Sequence, residues 1–319
     1  MIDQIPFAVG MTLIAVYCVL FLASVIVLLL KRVHPENDYT ELSKRTNSWW
    51  VMITIFSVAV LLDRTAAIFF LGFVSFLALK EYFSLIPTRR ADRRILLWAY
   101  LTVPLQFFWV YEYWYGMFII FIPVWAFLFL PLRMLMIGAT DGFLRSAGTI
   151  QWGLMLTVFN LSHAAYLLSL PKIDNPNAGS VGMLLFLIVL TQFNDVAQYV
   201  WGKNFGKKKI LPRVSPGKTW AGFLGGIATT AMASFFLAPF LTPMTGWPAL
   251  FAGAIIAFAG FVGDVTISAI KRDMGVKDSS NFIPGHGGLL DRVDSLTFSA
   301  PIFFHFIFYF YYGPIIDSL

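Results

Sequence analysis

The run SAIKRDMGVKDSSNFIPGHGGLLDRVDS, Ser268 to Ser295, sets eight charged side chains and a histidine between two strongly apolar segments. A mere anchor in lipid has no use for such a loop. Lys271, Arg272, Lys277 and Arg292 balance Asp273, Asp278, Asp291 and Asp294, so the loop is neutral while cations and carboxylates are both dense. That mixture suits a polyanion carried with a metal ion: the bases hold phosphate oxygens and the carboxylates hold the bridging cation. Gly285, Gly287 and Gly288 around His286 let the backbone come close to a ligand, and Pro284 stiffens the approach. A solvated loop beside a membrane has the same charge content, and the order of the residues has to decide.

Outward from this run the chain is apolar. Of 319 residues, 58% are hydrophobic and 13% charged, and the mean hydropathy is +0.75, which leaves too little polar surface for a water-soluble globule. The expected fold is all-α, a polytopic transmembrane helical bundle. Ten candidate spans are read: Ala8 to Leu30, Trp49 to Leu62, Thr65 to Leu85, Ile95 to Tyr111, Gly116 to Leu135, Thr149 to Leu170, Val181 to Trp201, Thr219 to Leu241, Trp247 to Ile270 and Leu296 to Tyr312. The second is the weakest, since its residues rise only about 21 Å against a hydrocarbon core of about 30 Å. Fusing it with its neighbour gives nine. Asp3 precedes the first apolar run without a basic leader, so that run reads as a span and not as a cleaved signal.

Lys and Arg collect at 31–45, 80–94, 203–218 and 271–292, whereas 171–179 and 242–246 carry one basic residue between them. The positive-inside rule places the rich loops in the cytoplasm. Ten spans satisfy that alternation with both termini outside; one helix over Trp49 to Leu85 would put Arg89, Arg90, Arg93 and Arg94 on the wrong face. The net charge of +6 comes from these loops and so fits anionic lipid headgroups, not nucleic acid. A single cysteine, Cys18, excludes an intrachain disulfide and a cysteine metal site. Aromatic clusters at Trp109 to Tyr115 and Phe303 to Tyr312 read as lipid-facing or interfacial surface.

Two carboxylates, Asp195 and Asp264, fall inside apolar spans, where an unpaired charge costs about 3 kcal/mol or more. Each precedes its basic loop by about two turns, roughly 10 Å of rise, so the two share a depth. Asp291 and Asp294, spaced i and i+3 before the last span, are expected on one helical face at the same side. Four acids with no histidine pair or cysteine among them make a hard-oxygen site suited to Mg²⁺, with a second cation compatible. The basic loop at 202–218 supplies the complement. Gly202 to Lys209 and then Ser215-Pro216-Gly217-Lys218-Thr219 place a lysine and two hydroxyls at the mouth of a helix starting near Thr219, where free N–H groups favour phosphate. The GxxxxGK[ST] spacing of a soluble P-loop is absent. His286 could be a base, a phosphate donor or a turn residue; His163 reads as packed and hydrogen-bonded. Glu81 either pairs with Lys80 or reaches the site.

Read in order, Ser268, Lys271-Arg272, Lys277-Asp278, Pro284, His286-Gly287-Gly288, Asp291-Arg292 and Asp294 resemble the signature of the phosphatidate cytidylyltransferases, the CDP-diacylglycerol synthases. The block Asp195 to Gly226, with SPGKTW at Ser215 to Trp220 and Gly225-Gly226 behind it, is similar to the other half of that family's pattern. The resemblance covers roughly the C-terminal 40% of the chain. It departs at Ala221, where many members carry glutamate, and at Asn194 to Gln198, which replaces the commoner Asp-Thr/Ser-x-Ala-Tyr, as in a divergent branch.

The resemblance implies an enzyme of phospholipid biosynthesis in the bacterial inner membrane, its active site facing the cytoplasm, that converts CTP and phosphatidate to CDP-diacylglycerol and pyrophosphate. On that reading Asp195, Asp264, Asp291 and Asp294 hold Mg²⁺. Ser215, Lys218, Thr219, Lys271, Arg272, Lys277, His286 and Arg292 bind the substrates, and Asp264, Asp291, Lys271 and His286 sit nearest the chemistry. The catalytic region is 149–319, with cytoplasmic loops 202–218 and 271–294, behind an N-terminal transmembrane region 1–148. Partners are CTP, phosphatidate in the bilayer and anionic lipids; a homodimer is compatible. An ion- or proton-coupled transporter, or a related lipid-phosphate transferase or polyprenol-type kinase, is the alternative.

Overall fold

The computed structural model describes residues 6–89, 92–171 and 178–312. Asp3, Arg90 and most of the base-poor 171–179 loop lie outside the described residues. Ten helical rods follow one another: α1 Phe7–Val33, α2 Thr40–Leu62, α3 Arg64–Leu85, α4 Arg93–Tyr111, α5 Tyr115–Leu135, α6 over 143–169, α7 Gly179–Phe205, α8 Trp220–Leu241, α9 Trp247–Asp273 and α10 Leu290–Tyr312. Between α7 and α8 runs a two-stranded antiparallel hairpin, β1 Lys209–Leu211 and β2 Ser215–Thr219. The chain is an all-α polytopic integral membrane protein. Eight of the described rods are long and apolar enough to cross a membrane; α4 and α6 fall short of that measure.

The weak second segment gains its length at the front. α2 starts at Thr40, inside the polar stretch, and its 23 residues rise about 34 Å. α2 and α3 are separate rods, broken at Asp63, whose extended backbone ends one helix and whose carboxylate caps the next by accepting Ala66 N–H at 2.6 Å. Within α5 the ladder widens to π geometry over Phe121–Ala126, around Pro123, which has no N–H to give. α6 widens likewise over Met155–Phe159, and Ser75 of α3 donates to the Thr157 carbonyl there at 2.6 Å.

The two ends of the bundle differ in chemistry. At one end Arg45 reaches the Gly285 carbonyl, Glu81 meets Leu289 and Leu290, Arg89 donates to Ala139 and Arg272 to Val214. Every basic loop whose residues are described therefore gathers there. At the other end Arg64 closes α4, donating to the Val110 and Tyr111 carbonyls at 2.8 and 3.1 Å and lying 3.7 Å from the Tyr113 ring.

One aromatic expectation is corrected. Phe303, Phe304, Phe308 and Tyr312 are buried, and within that cluster Tyr309 and Phe310 face outward. Their spacing follows the helical period, so one face of α10 packs inward against Tyr115 and Phe118. His163 sits in the same core, fully buried, its Nδ1 2.8 Å from the Phe159 carbonyl.

Candidate active site

Three rods and the hairpin meet at one polar centre. α7 brings Asp195, α9 brings Asp264, and Asp294 follows Val293 in the first turns of α10. The approach of α9 to α10 needs Gly263: a methyl group there would run into the Asp294 carbonyl and stand 3.2 Å from Thr297 Oγ1. Asp195 accepts Ser295 Oγ at 3.2 and 3.3 Å, Asp264 accepts Ser268 Oγ at 3.3 Å, and Asp294 accepts the Ser295 N–H at 2.7 Å. The charges of Asp195, Asp264 and Asp294 act on one another and on Lys218.

The lysine arrives on β2. The sequence anticipates a helix from about Thr219 but not the strand before it, because proline and glycine in SPGKT argue against one. The hairpin pairs Lys209 with Thr219 and Leu211 with Ser215. Thr219 Oγ1 caps α8 by accepting Gly222 N–H at 3.1 Å, which fixes the neighbouring Lys218. Lys218 Nζ lies 2.5 Å from Asp264 Oδ2 and donates to Gln198 Oε1 at 3.0 Å. Burial pulls the lysine pKa down, but Asp264 and Asp195 outweigh it and hold the ammonium above its ordinary value.

Asp291 takes other partners. It pairs with buried Lys271 at 2.6 Å and accepts Ser279 N–H, Ser279 Oγ and Gly288 N–H at 2.9, 3.1 and 3.0 Å. The hydrogen-bond ladder loosens at 294–295, but Asp294 and Ser295 keep right-handed helical angles, so Asp291 and Asp294 stay one turn apart on α10 while taking different partners. Asp195, Asp264 and Asp294 act on one another, and Asp291 ties Lys271 to the loop.

The glycines serve the same loop. Gly285 and Gly287 hold φ of +76° and +79°, and a methyl group on Gly288 would collide with Ser279 Oγ and the Glu81 carboxylate. The close approach read from these glycines is an approach to the protein's own side chains. Glu81 of α3 accepts the Leu289 and Leu290 N–H groups and the hydroxyls of Ser279 and Ser280; the alternative of a local pair with Lys80 is not the one formed. From α2, Arg45 Nε and Ser48 Oγ donate to the Gly285 and Pro284 carbonyls at 3.0 and 2.8 Å, and Trp49 meets the His286 ring edge-on at 5.8 Å. Arg272 ties the loop to the hairpin through the Val214 carbonyl, Ser215 is half-buried beside it, and Lys277 stands exposed. Burial, then the Arg292 charge, push the His286 pKa below its ordinary value.

Gln198 Nε2, His286 Nδ1 and Arg292 Nε are buried without a partner among the described residues. Gln198 touches Lys218, and the Arg292 charge acts on Asp195, Asp294 and His286, so Gln198 and Arg292 adjoin the centre. Buried polar groups are ordinarily hydrogen-bonded, to protein, to water or to a ligand. Among the described residues no three acidic, histidine or cysteine side chains close into a metal-binding group. The donor chemistry is that of a hard divalent cation: Asp195, Asp264 and Asp294 are all oxygen donors whose charges act on one another, and the Lys218 ammonium stands against Asp264.

The comparisons with known proteins agree with this chemistry. The chain is 44% identical to the uncharacterized protein YnbB of Escherichia coli strain K12 over 298 residues, 93% of this chain and 98% of that protein. It is 44% identical to the phosphatidate cytidylyltransferase of Pseudomonas aeruginosa over 124 residues and 42% identical to that of Haemophilus influenzae over 132, in each case 46% of the relative. These two matches thus span about half the length of the named enzymes. Residues 43–310 match the cytidylyltransferase family, and the chain, a membrane-embedded nucleotidyltransferase, belongs to it.

Proposed function

We propose that the protein transfers the cytidylyl group of CTP to phosphatidate, forming CDP-diacylglycerol and pyrophosphate. The observation that carries the reading is the meeting of Asp195, Asp264 and Asp294 with Lys218, beside Gln198 and Arg292. A phosphate oxygen of the lipid attacks the α-phosphorus of CTP, the bond to the bridging oxygen breaks, and pyrophosphate departs with that oxygen. The attacking oxygen is already ionised at neutral pH, so no side chain has to remove a proton. What remains is alignment and charge neutralisation of two anions.

Asp195, Asp264 and Asp294 would hold Mg²⁺, which supplies positive charge at the phosphates when bound. Lys218 and Arg292 donate to the phosphoryl oxygens, and Gln198 steadies Lys218. Lys271 and Asp291, paired with each other, act by shaping the loop that carries Arg292. Neutral His286 offers a donor without adding charge. The basic end of the bundle faces the cytoplasm, where CTP is found, and the lipid enters sideways between rods.

The test is pyrophosphate release by the purified protein in detergent. Release that requires both CTP and phosphatidate, and is lost with ATP or with a polyprenol acceptor, is the expected result. Release of a nucleoside diphosphate with polyprenol would make the protein a kinase instead. Ion flux in vesicles without any pyrophosphate would make it a transporter.

A further inference from the structure

Glu81 lies in the N-terminal half of the chain, far in sequence from the carboxylate centre, yet its side chain belongs to the loop that feeds it. Oε1 accepts the Leu289 N–H at 2.9 Å and Ser280 Oγ at 2.8 Å; Oε2 accepts the Leu290 N–H at 2.8 Å and Ser279 Oγ at 3.0 Å. Each oxygen thus takes two donors, and among the described residues Glu81 forms no ion pair. Its charge is met by loop donors alone. Ser279 Oγ also stands 3.1 Å from Asp291 Oδ2, so one hydroxyl proton is shared between two carboxylates that grip the loop from opposite sides. Gly288 has no side chain because the Glu81 carboxylate occupies that space.

We propose that Glu81 is a positioning residue for the transfer reaction. By fixing the backbone at Leu289 and Leu290, it sets where α10 begins, and so where Arg292 and Asp294 stand relative to Asp195 and Asp264. Arg45, Ser48 and Trp49 hold the other limb at Pro284 to His286, and Lys271 anchors Asp291 from α9. The N-terminal rods are in this way part of the active-site frame. A Glu81→Gln side chain has the same size but turns one acceptor into an amide donor facing a loop N–H or hydroxyl, which loosens the clamp without emptying the space.

The inference rests on the cytidylyl-transfer reading only for its kinetic arm. Two measurements test it: hydrogen exchange at the Leu289 and Leu290 amides, and steady-state kinetics. In the wild-type protein these two amides are expected to exchange far more slowly than those of exposed Lys277 and Asn281; equal exchange would overturn the proposal without any variant being made. In E81Q their exchange is expected to speed up by about tenfold while the helical amides of α7 and α9 are unchanged. Turnover per folded molecule should then fall roughly ten- to a hundredfold, with the KM for CTP within about threefold of wild type. E81D, which restores the charge, should recover part of that loss. Wild-type kcat in E81Q despite loosened amides would overturn the positioning role. Protected amides in a wild-type protein that releases no pyrophosphate would overturn the cytidylyl-transfer reading and leave the clamp standing.

Discussion

Lys218 joins two helices through one ammonium, touching Asp264 of α9 and Gln198 of α7. Removing one partner from a partly buried pair of this kind costs on the order of 2 kcal/mol, because the remaining carboxylates lose their cation. Lys218→Met is therefore expected to melt at a lower temperature than wild type in chelator, and added Mg²⁺ should raise its melting point more than it raises that of wild type. Thermal scans in detergent, with and without Mg²⁺, check this; an equal Mg²⁺ shift in both proteins would contradict it. His286 gives a second residue-scale test. Its folded pKa is depressed, so between that value and the unfolded value of about 6.5 the unfolded state binds more protons, and this contribution to stability is lost as pH falls. His286→Asn should flatten the acid limb of the stability curve below about pH 6.5.

Residue by residue, the site was legible where burial makes charge costly. Asp195 and Asp264 stood out because an acid inside an apolar helix must have a partner, and Lys218 because SPGKT precedes a helix. The partners of Asp291 could not be read, because i, i+3 spacing says nothing of Lys271 and Ser279 arriving from other segments. Glu81 was visible only as an acid near a helix end, since its partners lie about two hundred residues away in sequence.

Elements carry the site through close contacts between backbones. Gly263→Ala would push the Asp294 carbonyl away from α9, and a rigid backbone cannot yield as a side chain can, so a cost of about 1–3 kcal/mol is expected. The melting point should fall and turnover should fall further, because Asp294 moves off Asp264. Gly148→Ala is the control: a methyl group there meets nothing within 4 Å, and the helix gains propensity worth about 1 kcal/mol. Equal activity in the two variants would contradict the role given to the α9–α10 contact. Apolar periodicity located the rods well, since lipid demands helices with satisfied backbones. It missed the hairpin, whose strands are too short and too rich in proline and glycine to signal themselves. It also missed the first nine residues of α2, which are polar and lie at the basic end.

The whole molecule is a bundle with one basic end, and the positive-inside rule predicts that this end faces the cytoplasm. In a Cys18→Ser background, Thr245→Cys is expected to react with an impermeant thiol reagent from outside the cell, and Lys277→Cys only after the membrane is opened. Reversed labelling would place the active site outside. Charge distribution was readable from sequence over the full length; which rods touch was not, because all of them share the same apolar composition.

The central claim is that acids from three separate rods act as one centre for joining two phosphate-bearing reactants. It is tested most directly by pyrophosphate release from CTP and phosphatidate, with Mg²⁺, in purified wild-type protein and in Asp264→Asn of matched helical content. Release by wild type, abolished by chelator, and a loss of roughly 10²- to 10³-fold or more in the variant are expected. Wild-type turnover in Asp264→Asn would contradict it.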